Sequence, residues 1–187
     1  MIGIDEVGRG AWAGPLLVVS VRLKKGKNLP EGLNDSKKLS RHTRETLAAQ
    51  IRSVCDIGEG WVSADMIDIL GLSRAMKSAT LLSLLQIDAL QEERIIMDGS
   101  VNYFKDTAYV NAEIKIKADQ TEPLVSAASI VAKTLRDGLM RLYASDFPEY
   151  SFETNVGYGT NTHRVALEML GVTRIHRQSF QPMRAMV

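Results

Sequence analysis

The chain has 187 residues, 24% of them charged and 45% hydrophobic, with a formal net charge of +1. That length suits one domain with its own core, and the balanced composition excludes disordered, collagenous and low-complexity classes. A single cysteine, Cys55, excludes an internal disulfide, a CxxC pair and a multi-cysteine zinc site, and it agrees with a reducing compartment.

Residues 1–7 carry Ile2, Ile4 and Val7 in weak alternation and read as a first strand, broken by Gly8-Arg9-Gly10. Leu16–Leu23 reads as a buried strand between turn signals at Gly14-Pro15 and Gly26, so the two strands suggest an antiparallel pair. Ser40 is placed to cap a helix running to about Val54, with Leu47, Ile51 and Val54 at helical spacing. A short strand is expected over residues 57–62, then helix from 64 to about 90 with a break at Gly71. Strands follow over 94–97, ending at Asp98-Gly99, and over 112–118. Thr121 is expected to cap a long helix with Leu124, Ala128, Val131, Leu135, Leu139 and Leu142 on one face and Pro123 in its first turn. Residues 151–160 read as a polar loop, followed by a short helix and a basic tail. Strands first, then helices and strands in alternation, give a mixed-sheet α/β domain spanning 1–187 with a short helical C-terminal part.

The longest uncharged stretch, residues 10–21, and shorter ones such as 123–132 fall far short of the roughly 18 residues of a crossing helix. Asp5, Glu6 and Arg9 interrupt the place of a signal-peptide core, so a cytoplasmic protein is expected. Charge is unevenly spread. Residues 22–45 hold eight basic against three acidic side chains, and residues 160–187 hold four against one. The two segments suggest either one phosphate-facing surface or scattered solvated charge.

A G-x-S-x-G elbow and a G-x-x-x-x-G-K-[ST] phosphate loop are both absent from the sequence. His42, His163 and His176 share no metal-ligand spacing and read as surface or structural residues, the latter two also as candidate phosphate contacts. The acids say more. Asp5 and Glu6 stand in one apolar strand, Asp98 ends another, and Asp119 lies between a strand and the N-terminal side of a helix. Acids are costly inside a sheet unless paired or metal-bound. Converged at one sheet edge, four carboxylates would repel one another until a hard divalent ion neutralised them. Taken singly, each also fits an ordinary turn or capping role. Neighbours in a strand point to opposite faces, so Asp5 and Glu6 share a centre only where the strand ends or bends.

GIDEVGRG at 3–10, NDSKKLS at 34–40, MDG at 97–99, KADQTEPLVSAASIVAKTLRD at 117–137 and GYGT at 157–160 together resemble the ribonuclease HII family, in the family's order and over nearly the whole chain. The resemblance implies a ribonuclease H-like fold, a five-stranded mixed sheet flanked by helices. It maps the catalytic and metal-holding acids onto Asp5, Glu6, Asp98 and Asp119, with two divalent cations, Mg²⁺ or Mn²⁺, as cofactors. The implied partner is nucleic acid: RNA–DNA hybrids, and duplex DNA with embedded ribonucleotides cut on their 5′ side to leave 3′-hydroxyl and 5′-phosphate ends, as in DNA replication and ribonucleotide excision repair. Gly8, Arg9 and Gly10 match the family's ribose-sensing loop, Tyr158 the tyrosine beside the scissile junction, and Ser36, Lys37 and Lys38 the substrate-phosphate region. Ser126, Ser129 and Lys133 are further candidates for phosphate or carboxylate contacts.

Ala11-Trp12 departs from the family pattern, and the tail HRQSFQPM lacks an arginine and a glycine common there. With no clamp-binding motif or long C-terminal extension, a monomer without a stable protein partner and without membrane association is expected. A sister type, ribonuclease HIII, would carry an added N-terminal domain, against which Met1 just before the first strand argues. A non-catalytic hybrid-binding module would not need all four acids.

Overall fold

A computed structural model describes residues 1–34, 36 and 38–186. Strand β1 (Ile2–Val7) pairs antiparallel with β2 (Leu16–Leu23), and β2 antiparallel with β3 (Cys55–Val62). On its other side β1 pairs in parallel with β4 (Ile95–Asp98), and β4 in parallel with β5 (Ala112–Lys115). The order is β3-β2-β1-β4-β5, the mixed five-stranded sheet that was expected. Helix α1 (Arg41–Val54) precedes β3, α2 (Ala64–Leu70) and α3 (Leu72–Leu85) follow it, and α4 (Pro123–Asp146), α5 (Phe152–Asn155) and α6 (Asn161–Leu170) complete the chain.

The two faces of the sheet follow from side-chain alternation. Ile2, Ile4, Leu16 and Val18 bury against Met76 and Ala79 of α3. Leu17, Val19 and Val21 point the other way, against Leu47 and Ile51 of α1 and Leu124, Ala128 and Val131 of α4. Each such aliphatic side chain contributes roughly 1.5–3 kcal/mol on burial. Gly3 sets the height of α4: a Cβ there would overlap the backbone of Leu124 and Val125. The first turns of α4 therefore rest directly on β1.

Several boundaries differ from expectation. α4 is capped from Glu122, one residue after Thr121. Its leucine face holds only as far as the sheet beneath it reaches: Leu142 is 70% exposed, while Met140 is buried in a cluster with Tyr150 and Phe152. β5 ends at Lys115 because the chain turns through Lys117, with φ of 58°, into a 3₁₀ turn over Ala118–Gln120. β3 starts earlier than expected, at Cys55, and α3 ends earlier, at Leu85. The expected polar loop at 151–160 contains α5 with Phe152 wholly buried. Among the described residues no helix is long and apolar enough to cross a membrane.

Two glycine substitutions separate close approach from open space. Gly3→Ala should destabilise by about 1–3 kcal/mol through overpacking against α4. Gly138→Ala, inside α4 with nothing within 4 Å of an added Cβ, should stabilise by about 0.5–1 kcal/mol. Urea unfolding of both variants measures the two effects.

Candidate active site

The parallel pairing of β1 and β4 runs through Ile4 opposite Met97 and stops there. One residue further on, Asp5 and Asp98 stand level on adjacent strands, at the carboxyl edge of the parallel part of the sheet where α/β sheets hold ligands. Beyond Ile4 the strand is not held flat by β4, so Asp5 and Glu6 both reach the same cavity, of about 450 Å³. The Asp98 Oδ1 accepts a hydrogen bond from the Ala118 N–H at 2.7 Å, which pins the 3₁₀ turn and carries Asp119 to the same cavity. The four sequence-predicted acids are thus brought together.

Asp5 is the buried member. Burial pushes its carboxyl well above the usual carboxylate range, and the charges of Glu6 and then Asp98 push it further. The Ser129 hydroxyl and the Glu6 N–H, which donates to Asp5 Oδ1 at 2.8 Å, oppose that rise. Ser129 in turn lies 2.9 Å from the Ser36 hydroxyl, so with its proton on Asp5 it accepts from Ser36. Glu6 lies 3.8 Å from the Arg9 guanidinium. Each acid has its own local contact, and among the described residues no group of three or more His, Cys, Asp or Glu side chains stands as a metal-holding arrangement. The donor set nonetheless fits hard divalent ions, being all oxygen and short of positive charge around the buried Asp5.

Beside the acids the cavity is bounded by two loops locked together. The Trp12 and Ala13 N–H groups both donate to Gly157 O, at 2.8 and 3.1 Å. Arg136 of α4, fully buried, donates to Ala13 O, Pro15 O and Val156 O. Gly8 has φ of 81°, and a Cβ there would strike the Arg136 side chain. Tyr158 projects into the cavity, where its hydroxyl accepts from the Gly8 N–H at 3.2 Å and its ring lies 5.4 Å from the Arg136 guanidinium. Gly8, Arg9, Gly10, Ser36 and Tyr158 therefore line the same cavity as the acids, as does Lys133. Lys37 lies outside the described residues. Lys38 borders an adjoining hollow that also touches Asp119.

Other expectations need correction. His163 and His176 are buried against each other, so neither meets a phosphate. Three members of the two basic segments are taken up internally: Arg22 pairs with Asp56 and Glu93, Arg44 turns inward to Ser36 O, Leu39 O and Asp137, and Arg177 is fully buried. Of the further candidates, Ser129 bonds the Asp5 carboxyl and Lys133 lines the cavity, while Ser126 donates to Asn34 O. No structural role was expected for Arg136, and Arg177 counted only among the basic residues of the tail. The available signal was the polar stripe Ser126, Ser129, Lys133 and Arg136, which recurs at helical spacing along α4.

The family model for ribonuclease HII matches residues 2–183. The chain belongs to the ribonuclease HII family. A ribonuclease HII of Jannaschia sp. (strain CCS1) is 43% identical over 183 residues, covering 96% of this chain and 88% of the relative. In the solved PCNA:RNase HII complex from Archaeoglobus fulgidus, the matching chain superposes with a TM-score of 0.80 at 27% identity, covering 94% of this chain and 91% of that one. Bst-RNase HIII, solved in complex with Mn²⁺, shares the fold with a TM-score of 0.73 at 19% identity, covering 98% of this chain and 67% of its own. As a ribonuclease HII, the chain is a metal-dependent endoribonuclease, a phosphodiester hydrolase of the ribonuclease H type.

The raised pKa of Asp5 has a signed consequence for stability. Below the ordinary value of 3.8 the group is protonated folded or unfolded, and its burial carries no charge penalty. As pH climbs through the raised folded-state value, stability is lost. In chelator, Asp5→Asn should match the wild-type melting temperature near pH 4 and exceed it increasingly towards pH 8. Mg²⁺ or Mn²⁺ at pH 8 should raise the wild-type melting temperature and leave Asp5→Asn nearly unmoved. Thermal unfolding with and without the ion checks both.

Proposed function

We propose that this ribonuclease HII hydrolyses the RNA strand of RNA–DNA hybrids and cuts duplex DNA on the 5′ side of a single embedded ribonucleotide, leaving 3′-hydroxyl and 5′-phosphate ends. It does so as one catalytic domain over 1–187, a monomer acting on nucleic acid in the cytoplasm. The observation that carries this reading is the shared cavity, which the four acids line together with Gly8, Arg9, Gly10 and Tyr158.

Asp5, Glu6, Asp98 and Asp119 would hold two divalent ions, Mg²⁺ or Mn²⁺. What the ions supply is Lewis acidity, for the attacking water and for the charge that grows on the departing oxygen. The residues of the chain do the rest. Ser129 and the Glu6 N–H keep the Asp5 carboxylate oriented. Gly8, Arg9 and Gly10 line the cavity, and Gly10, exposed and without a side chain, leaves its peptide group open to bond a 2′-hydroxyl that deoxyribose lacks. Tyr158 lies against the sugar on the 3′ side of the ribonucleotide, where a second 2′-hydroxyl would crowd its ring. Lys133, 3.0 Å from Asp137 and 6.0 Å from the Tyr158 ring, contributes positive charge beside the phosphate path. Water attacks phosphorus, and the bond to the 3′ oxygen of the preceding nucleotide breaks. The phosphate stays on the ribonucleotide, whose own 2′-hydroxyl is not consumed.

A duplex with one ribonucleotide, incubated with Mg²⁺ or Mn²⁺, tests the reading. One cut 5′ of the ribonucleotide is expected, abolished by chelator, with all-DNA duplex untouched; equal cleavage of plain DNA would overturn the sugar-sensing role. Asp98→Asn should keep the fold and slow single-turnover cleavage by about 10²-fold or more, because a lost ligand forfeits several kcal/mol of charge stabilisation. Tyr158→Ala should slow cleavage at the single ribonucleotide by about tenfold, within the range of one lost stacking contact. On a continuous hybrid the loss should be smaller.

A further inference from the structure

Behind Tyr158, outside the cavity, two imidazoles face each other. His163, in the first turn of α6, and His176, in the segment after it, are 0% and 2% exposed, and their Nε2 atoms are 3.0 Å apart. A contact of that length between ring nitrogens needs one proton between them, donated by one and accepted by the other.

The outer nitrogens decide which ring donates. His163 Nδ1 lies 3.0 Å from Tyr158 O, which can only accept, so Nδ1 carries the proton and Nε2 is bare. His176 Nδ1 receives the Thr173 N–H at 2.9 Å, so Nδ1 is bare and Nε2 carries the proton. The two assignments agree. Hydrogen bonds run one way, from the Thr173 N–H through His176 and His163 to Tyr158 O. Burial lowers the basicity of both rings, His176 to about 4 with the neighbouring His163 adding to the effect, so both stay neutral.

The two ends of this chain of bonds touch the two recognition loops. At one end is the residue whose hydroxyl accepts from Gly8 N–H. At the other, residues around His176 hold the Gly8–Pro15 loop: Gly14 N–H donates to Ile175 O, Arg177 N–H to Trp12 O, and the Arg177 guanidinium to Arg9 O and Gly14 O. Trp12 packs 5.5 Å from the His163 ring. We propose that His163 and His176 are positioning residues that fix the backbone of Tyr158 relative to the Gly8-Arg9-Gly10 loop, and so set the preference of the cleft for a single ribonucleotide followed by deoxyribose. The proposal rests on the reading of Tyr158 as the sugar contact.

The test combines tautomer, geometry and selectivity. ¹⁵N spectra of the wild-type protein at neutral pH should show His163 protonated on Nδ1 and His176 on Nε2; the reverse pair of tautomers overturns the proposal. An asparagine amide nitrogen overlays Nδ1, so His163→Asn keeps the donor to Tyr158 O, whereas His163→Leu removes it. Single-turnover cleavage is then compared on a single-ribonucleotide duplex and a continuous hybrid. The ratio should fall by about tenfold in His163→Leu, as for loss of the tyrosine contact itself. In His163→Asn it should stay near wild type. His163→Leu in a Tyr158→Ala background should not lower the ratio further. Equal slowing of both substrates by His163→Leu, with an unchanged ratio, would mean a purely structural role and overturn the proposal. If Tyr158→Ala leaves the ratio unchanged, the reading of Tyr158 fails, and hydrogen exchange at the Gly8 amide still decides positioning: faster exchange in His163→Leu than in wild type supports it, and unchanged exchange overturns it. Should His163→Leu not fold, the wild-type tautomers and the ratio in His163→Asn carry the decision.

Discussion

The carboxyl of Asp5 is nearly removed from water in the second half of β1, where burial and the charges of Glu6 and Asp98 all oppose its ionisation. A negative charge in such a place persists only with donors close by. One is the Glu6 N–H, available because the strand is released from β4 after Ile4. Another is Ser129, which reaches Asp5 because Gly3 lets α4 lie on the backbone of β1. Asp98 is turned by the Ala118 N–H, which also fixes the chain entering α4. The height of one helix, the length of one parallel pairing and the turn after β5 thus answer to the same buried oxygen atoms.

A second constraint lies behind the cavity. Arg136 and Arg177 are both fully buried, and their guanidinium groups donate to backbone carbonyls of the loops around them. Burial lowers the basicity of both, Arg177 to about 9. Charge-assisted bonds to several carbonyls in fixed directions offset the loss of water, and a planar fork holds its partners in one geometry. Loops of glycine and small residues, flexible by themselves, become a rigid wall.

Much of this was legible in the sequence. β1, β2 and α1 announce themselves through apolar spacing, turn glycines and the Ser40 cap, whose hydroxyl accepts from the Thr43 N–H. The acids stood out because a strand core is an expensive place for charge. What escaped depends on partners far away in the chain. His163 and His176 have no spacing that signals a pair, since their contact is made by α6 folding back. The apolar period of α4 continues in the sequence to Leu142, but the sheet beneath it ends first. The polar composition of residues 151–160 hid a packed element, because Asn155 satisfies its amide internally, donating to Tyr150 O and accepting from the Gly157 N–H.

Arg177 binds Arg9 O across 168 residues of sequence, and Arg136 binds Pro15 O across 121. A ribosome delivers these partners in order, at about 5–20 residues per second. The sheet that carries Asp5, Glu6 and Asp98 can assemble once β5 has emerged, but the loop beside it is gripped first by Arg136 of α4 and fully only when Arg177 follows. The nascent chain therefore holds three of its acids before the loop beside them is fixed. The wall beside the acids is among the last parts of the molecule to take shape as it is made.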